Sequence, residues 1–158
     1  MSQCCGKIPT EEDAGYIALV VLNTVQRYGN IWQGDLGEQM ATEHAVKELN
    51  LGTERFDKKI HGYDNVFRDG AGKLVIVEAK ATKSSGVASL KDTVHGREGS
   101  VEWVEYKATL MCDPTSSFYS AANAMIGEEI LRVGAANVEF LVIHIDPESQ
   151  LVDVTQLR

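Results

Sequence analysis

The chain has 158 residues, 44% of them hydrophobic and 24% charged, with a formal net charge of −8. That length specifies one domain spanning residues 1–158, with an ordinary core that needs no disulfide or metal staple. The acidic balance argues against a broad basic face wrapped around nucleic acid, but it leaves room for a locally basic cleft.

No apolar run reaches membrane-spanning length. The start, Met1-Ser-Gln-Cys-Cys-Gly-Lys7, lacks the apolar stretch of a signal peptide. A cytoplasmic protein with no membrane partner is therefore expected. The three cysteines, Cys4, Cys5 and Cys112, are odd in number and match no zinc spacing, so reduced thiols are expected.

In chain order, residues Met1 to Pro9 carry few structural signals and are expected to be disordered. Thr10 to Asp13 reads as a capping box for an N-terminal helix from about Glu11 to Tyr28, closed by Gly29. Its middle, Ile17 to Leu22, is apolar on nearly all sides and is expected to be buried, with a homodimer interface as the alternative. Asp35 caps a second helix running to about Asn50 and stopping at Gly52. Glu38, Ala41, Ala45 and Leu49 share one face of it, and the two alanines permit close approach to a sheet. Glu38 lies one turn in, where a carboxylate also favours the helix dipole.

Thr53 to Ile60 is expected to be a first strand. Tyr63 to Arg68, carrying Asp64, follows as a second. The turn Asp69-Gly-Ala-Gly72 then joins it to the β-branched run Leu74 to Val77. Ala81 to Gly99 is small and polar and reads as a long loop overhanging the strand ends. Ser100 opens a helix that ends near Asp113-Pro114. Ser116 or Ser117 caps another from Phe118 to Val133, with Ala121, Ala122, Met125, Ile126, Ile130 and Leu131 as its stripe. Val138 to Ile145 is a mostly apolar strand in which His144 reads as a core histidine. A turn from Asp146 leads to a last strand, Leu151 to Val154. His44, His61 and His95 have no ligand spacing.

The third strand ends abruptly in Glu78-Ala79-Lys80. Residues two apart on a strand share a face, so Glu78 and Lys80 project side by side, and the hairpin returns Asp64 beside Glu78. Paired carboxylates suit Mg²⁺ or Mn²⁺. A neighbouring lysine can hold a water and offset phosphate charge, so the trio is equipment for metal-assisted phosphodiester hydrolysis. Lys80, Lys83, Lys91 and Arg97 make the following stretch basic within an acidic chain. Lys83, Lys91 and Arg97 are thus candidates for positioning a nucleic-acid backbone, with His95 as a further contact.

The pattern of Gly62-Tyr-Asp64, turn, apolar run and Glu78-Ala-Lys80 resembles the PD-(D/E)xK, or restriction-endonuclease-like, nucleases, with Tyr63 where the name pattern has Pro. The resemblance implies an α/β (α+β) fold with an αβββαβ core, a central mixed sheet flanked by helices. It also implies a metal held by Asp64, Glu78 and the Ala79 carbonyl, a first-helix glutamate (Glu38) joining it, and Lys80 activating the water. DNA is then the default substrate and RNA the alternative. Gly96-Arg-Glu-Gly-Ser-Val-Glu-Trp103 resembles a stretch in bacterial contact-dependent and other polymorphic toxin nucleases, although Trp103 itself reads as core. That resemblance implies a toxin domain held by an inhibitor (immunity) protein and delivered into another cell. The competing expectations are a repair, recombination or phage nuclease, a catalytically silent binding module of the same fold, and an acidic inhibitor protein.

Overall fold

Ala41 and Ala45 are fully buried, and their small side chains let residues 34–47 lie close on a sheet as helix α1. The computed structural model describes residues 34–59, 61–81, 89–146 and 151–158. The expected segments Met1–Pro9 and Glu11–Tyr28, together with Cys4, Cys5, Ile60, Lys83 and residues 147–150 of the last turn, lie outside the described residues.

Asp35 does not cap α1, because Gly34 is already helical. The helix ends at Lys47, short of the expected end near Asn50 and Gly52. Asn50 takes φ 53°, and the Leu51 N–H closes back on the Ala45 carbonyl at 3.0 Å. Asn50 thus takes the left-handed conformation that glycine usually supplies after a helix, and the buried Leu51 follows it.

The sheet has five strands among the described residues. In spatial order they are β1 (Gly52–Thr53), β2 (Asn65–Arg68), β3 (Leu74–Ala81), β6 (Glu139–Asp146) and β7 (Leu151–Gln156). Strands β3 and β6 run parallel and the other pairs antiparallel. A separate hairpin, β4 (Asp92–Thr93) with β5 (Gly96–Arg97), interrupts the stretch read from sequence as a loop. Helices α2 (Val101–Cys112) and α3 (Ala121–Val133) complete a mixed α+β fold.

Alternation sorts the strands' side chains onto two faces. Phe67, Val75, Val77, Leu141, Ile143 and Ile145 pack with α1. Val66, Leu74, Ile76, Phe140 and Val142 pack with α2 and α3. The hairpin register pairs Asn65 with Val77 and Arg68 with Leu74. In the turn it is Gly72, at φ 80°, that takes the left-handed conformation. The Asp69 carboxylate accepts from the Ala71 and Lys73 N–H groups, each at 2.8 Å.

Two expected elements are corrected. Beyond Thr53 the segment to Lys59 forms no strand. At Asp57 the buried Asn123 takes the place of a strand partner: its amide accepts from the Asp57 N–H at 2.9 Å and donates to the Asp57 carbonyl at 2.8 Å. Helix α3 starts later than expected, capped by Ser120, whose side chain accepts from the Asn123 N–H. Its buried face is Asn123, Ile126, Gly127 and Ile130, while Met125 is 72% exposed. The phase is set by Gly127, where a Cβ would lie 2.7 Å from the Ala108 carbonyl of α2. Gly127→Val therefore has to force the packed helices α2 and α3 away from each other. The expected loss is about 3 kcal/mol of stability, read as a lower denaturant midpoint.

Candidate functional site

Asp64 stands one residue before β2 and, by the hairpin register, opposite Glu78. It is held there by the Ala79 N–H, which donates to its Oδ2 at 2.8 Å. The residue before it explains the fixed position: Tyr63 is buried, donates its hydroxyl to the Val104 carbonyl at 2.7 Å and packs on Trp103. Glu78 and Lys80 leave β3 on one face, as the sequence predicts, and by alternation from Ile76 that face is the one packed by α2 and α3. The Lys80 ammonium donates to Glu78 Oε1 at 2.7 Å and to Glu98 Oε2 at 3.1 Å.

Glu78 is 5% exposed, and its Oε2 is buried with no hydrogen-bond partner among the described residues. Burial, followed by repulsion from Asp64, pushes its carboxyl up to about 7. Burial also raises Asp64, partly offset by the Ala79 N–H and the nearby lysines. Burial pulls Lys80 down, but Glu78 and Glu98 outweigh it and the ammonium ends above its ordinary value. An orphaned, buried carboxylate oxygen beside a second carboxylate is a natural seat for a cation.

Glu38 reaches the same cleft from α1. The approach depends on Gly37, where a Cβ would sit 2.5 Å from that of Ala81 at the end of β3. The Glu38 carboxylate is ion-paired with Lys58 and lines the cleft with Asp64 and Glu78. No group of three or more His, Cys, Asp or Glu side chains among the described residues is arranged to hold a metal. A metal at Asp64 and Glu78 would thus need further oxygens. Ala79 lines the cleft, and a strand residue's carbonyl leaves on the same edge as its N–H, here the Asp64 side.

The cleft measures about 450 Å³ and is bordered by lysines from four segments: Lys58 and Lys59, Lys80, Lys91 and Lys107. Of the candidate backbone-positioning residues, Lys91 lines it. Arg97 does not: it borders a neighbouring cavity with Leu90 and Asp153. His95 stacks on Tyr106 with ring centroids 3.5 Å apart, and Lys83 lies outside the described residues. Trp103 is 3% exposed and meets Phe140 edge-on, in keeping with a core role.

Glu98, Lys58, Lys59 and Lys107 were not identifiable as site residues from the sequence. Lys58 and Lys59 sit in the segment misread as a strand. Lys107 lies on the apolar-looking α2, where it spans the Trp103 and Phe118 rings and donates to the His61 carbonyl at 2.6 Å. Glu98 falls inside the Gly96–Trp103 stretch, whose two glycines are its one visible signal.

Among the described residues no helix is long and apolar enough to cross a membrane. No family model, curated protein or solved structure matches the chain.

Proposed function

We propose that the chain is a divalent-metal-dependent phosphodiesterase acting on nucleic acid, of the PD-(D/E)xK type. The observation that carries this reading is the unpartnered, buried Oε2 of Glu78 beside Asp64, with Lys80 on the same carboxylate. The order α1, β1, β2, β3, the β4–β5 hairpin, α2, α3 and β6 is compatible with it, although β1 is only two residues long and the hairpin and α3 are additions to the αβββαβ pattern. The surrounding lysines give an acidic chain a cationic rim suited to phosphates.

In this reading Asp64, Glu78 and the Ala79 carbonyl would hold one Mg²⁺ or Mn²⁺, with Glu38 as a further carboxylate on the same cleft. The bound metal supplies Lewis-acid stabilisation of charge on the phosphate and the leaving oxygen. Lys80, as an ammonium, would orient the attacking water and favour its deprotonation through its positive charge rather than by accepting the proton. Lys58, Lys59, Lys91 and Lys107 set the backbone in place. DNA is the default substrate and RNA the alternative. The role favoured is a nuclease toxin held by an inhibitor protein, with a repair or phage nuclease as the alternative.

A silent binding module is the second reading, favoured by one observation: Lys80 is already paired with both Glu78 and Glu98. Purified protein incubated with plasmid DNA and, separately, transfer RNA discriminates between the two. Cutting in Mg²⁺ or Mn²⁺ that stops with chelator is the expected result. No cutting of either substrate, with no heat of metal binding, favours the silent module.

A further inference from the structure

Lys80 has two carboxylate partners, and the second is not part of the strand-borne trio. Glu98 is placed by a tight local frame. Its N–H donates to the Lys91 carbonyl at 2.9 Å, and its Oε2 accepts the Lys91 N–H at 3.0 Å while also accepting Lys80 at 3.1 Å. Glycines with positive φ bracket it. A Cβ on Gly96 would lie 2.5 Å from Ser100 Oγ, and one on Gly99 would lie 2.9 Å from the Phe140 ring. Glu98 thus reaches the cleft from a backbone that side chains would disrupt, and it is directed at one ammonium.

We propose that Glu98 is the positioning residue for Lys80, keeping the ammonium at the end of β3 when the charge of Glu78 is committed elsewhere. The inference rests on the nuclease reading for its consequence in catalysis. The need follows from charge. A carboxylate that shares its charge with a divalent cation attracts a lysine less, and Lys80 has a flexible four-carbon stem. With Glu78 alone the ammonium would be free to leave. Glu98, fixed to Lys91 rather than to β3, retains it.

Two measurements test this, one of them independent of activity. In ¹⁵N-lysine NMR, a held Lys80 ammonium gives a resolved signal, assigned by its loss in Lys80→Met. That signal is expected to persist in Glu78→Gln and to vanish in Glu78→Gln/Glu98→Ala. Loss in Glu78→Gln alone, or survival in the double variant, overturns the inference. In cleavage assays, Glu98→Ala is expected to lower kcat by about ten- to a hundredfold with little change in KM or in Mg²⁺ affinity. Glu98→Gln, which keeps an acceptor for the Lys91 N–H and so preserves the local fold, is expected to fall between it and wild type. Wild-type kcat in Glu98→Ala overturns the proposal. A wild-type protein that neither binds Mg²⁺ nor cuts overturns the nuclease reading instead, and the NMR arm still decides the role of Glu98.

Discussion

Glu78→Gln is expected to abolish cutting, with a rate loss of at least about a thousandfold, and to remove the heat of Mg²⁺ binding. Metal-based charge stabilisation is worth several kcal/mol, and each 1.4 kcal/mol or so is a factor of ten. The same substitution should leave the fold intact and more stable at neutral pH. The folded Glu78 carboxyl, at about 7, lies above the ordinary value of 4.5, and burial is the first cause. A group raised in the folded state favours folding fully below its unfolded value, and that contribution is lost as pH rises through the folded value. Wild type should therefore lose stability between about pH 4.5 and pH 7. The loss is at most about 3 kcal/mol, and Asp64 adds a slope of the same sign. Glutamine mimics the protonated form, so the variant should match wild type near pH 4.5 and exceed it near pH 8. Denaturant midpoints across that range in chelator check the expectation. A variant less stable than wild type at pH 8 would mean that the Lys80 ion pair outweighs burial. Saturating Mg²⁺ should restore wild type and leave the variant unmoved.

The strand-borne trio was legible because its logic is local. Alternation along Leu74 to Lys80 fixes which residues share a face, and a short hairpin fixes what stands opposite. The two alanines of α1 were legible for the same reason. What escaped depends on side chains substituting for backbone partners or on distant segments meeting. Thr53 to Lys59 is polar with Phe56 as its one apolar point, a weak basis for a strand, and the amide of Asn123, 66 positions beyond Asp57, takes the Asp57 backbone hydrogen bonds that a neighbouring strand would have supplied. That exchange places Lys58 beside Glu38. Of the expected α3 stripe Ile126 and Ile130 are buried, but Met125 and Leu131 face outward, because the packed face is completed by the smallest side chain, Gly127, and by a polar one, Asn123. Glu98 was invisible as a site residue because its partner Lys80 is 18 positions away and is reached only through a separate hairpin. Glu38 shows the limit of stripe arguments. Its position at the edge of the packed face was readable, but its pairing with Lys58 was not.

Lys80→Met is expected to separate chemistry from metal binding. The substitution keeps a stem of similar length and removes only the ammonium. Loss of a group that orients and helps deprotonate the water should cost about a hundred- to ten-thousandfold in rate. Mg²⁺ affinity should be retained or improved, because the cation competing for Glu78 is gone. The metal-free variant should also lose stability at neutral pH. Glu78 and Glu98 would then face one another across the site without the charge that now lies 2.7 and 3.1 Å from them. Breaking a buried pair typically costs about 3–5 kcal/mol. Glu78 can escape some of that by taking up a proton, since burial already raises it. The deficit should therefore be small at pH 5, large at pH 8, and recovered on adding Mg²⁺. Calorimetry and denaturant midpoints on the same sample read both effects. Loss of Mg²⁺ binding in Lys80→Met would show that the lysine shapes the metal site itself. Wild-type cutting in it would move water activation to another group, with Lys107 as the first candidate, a cleft lysine that donates to the His61 carbonyl and whose ammonium burial holds below its ordinary value.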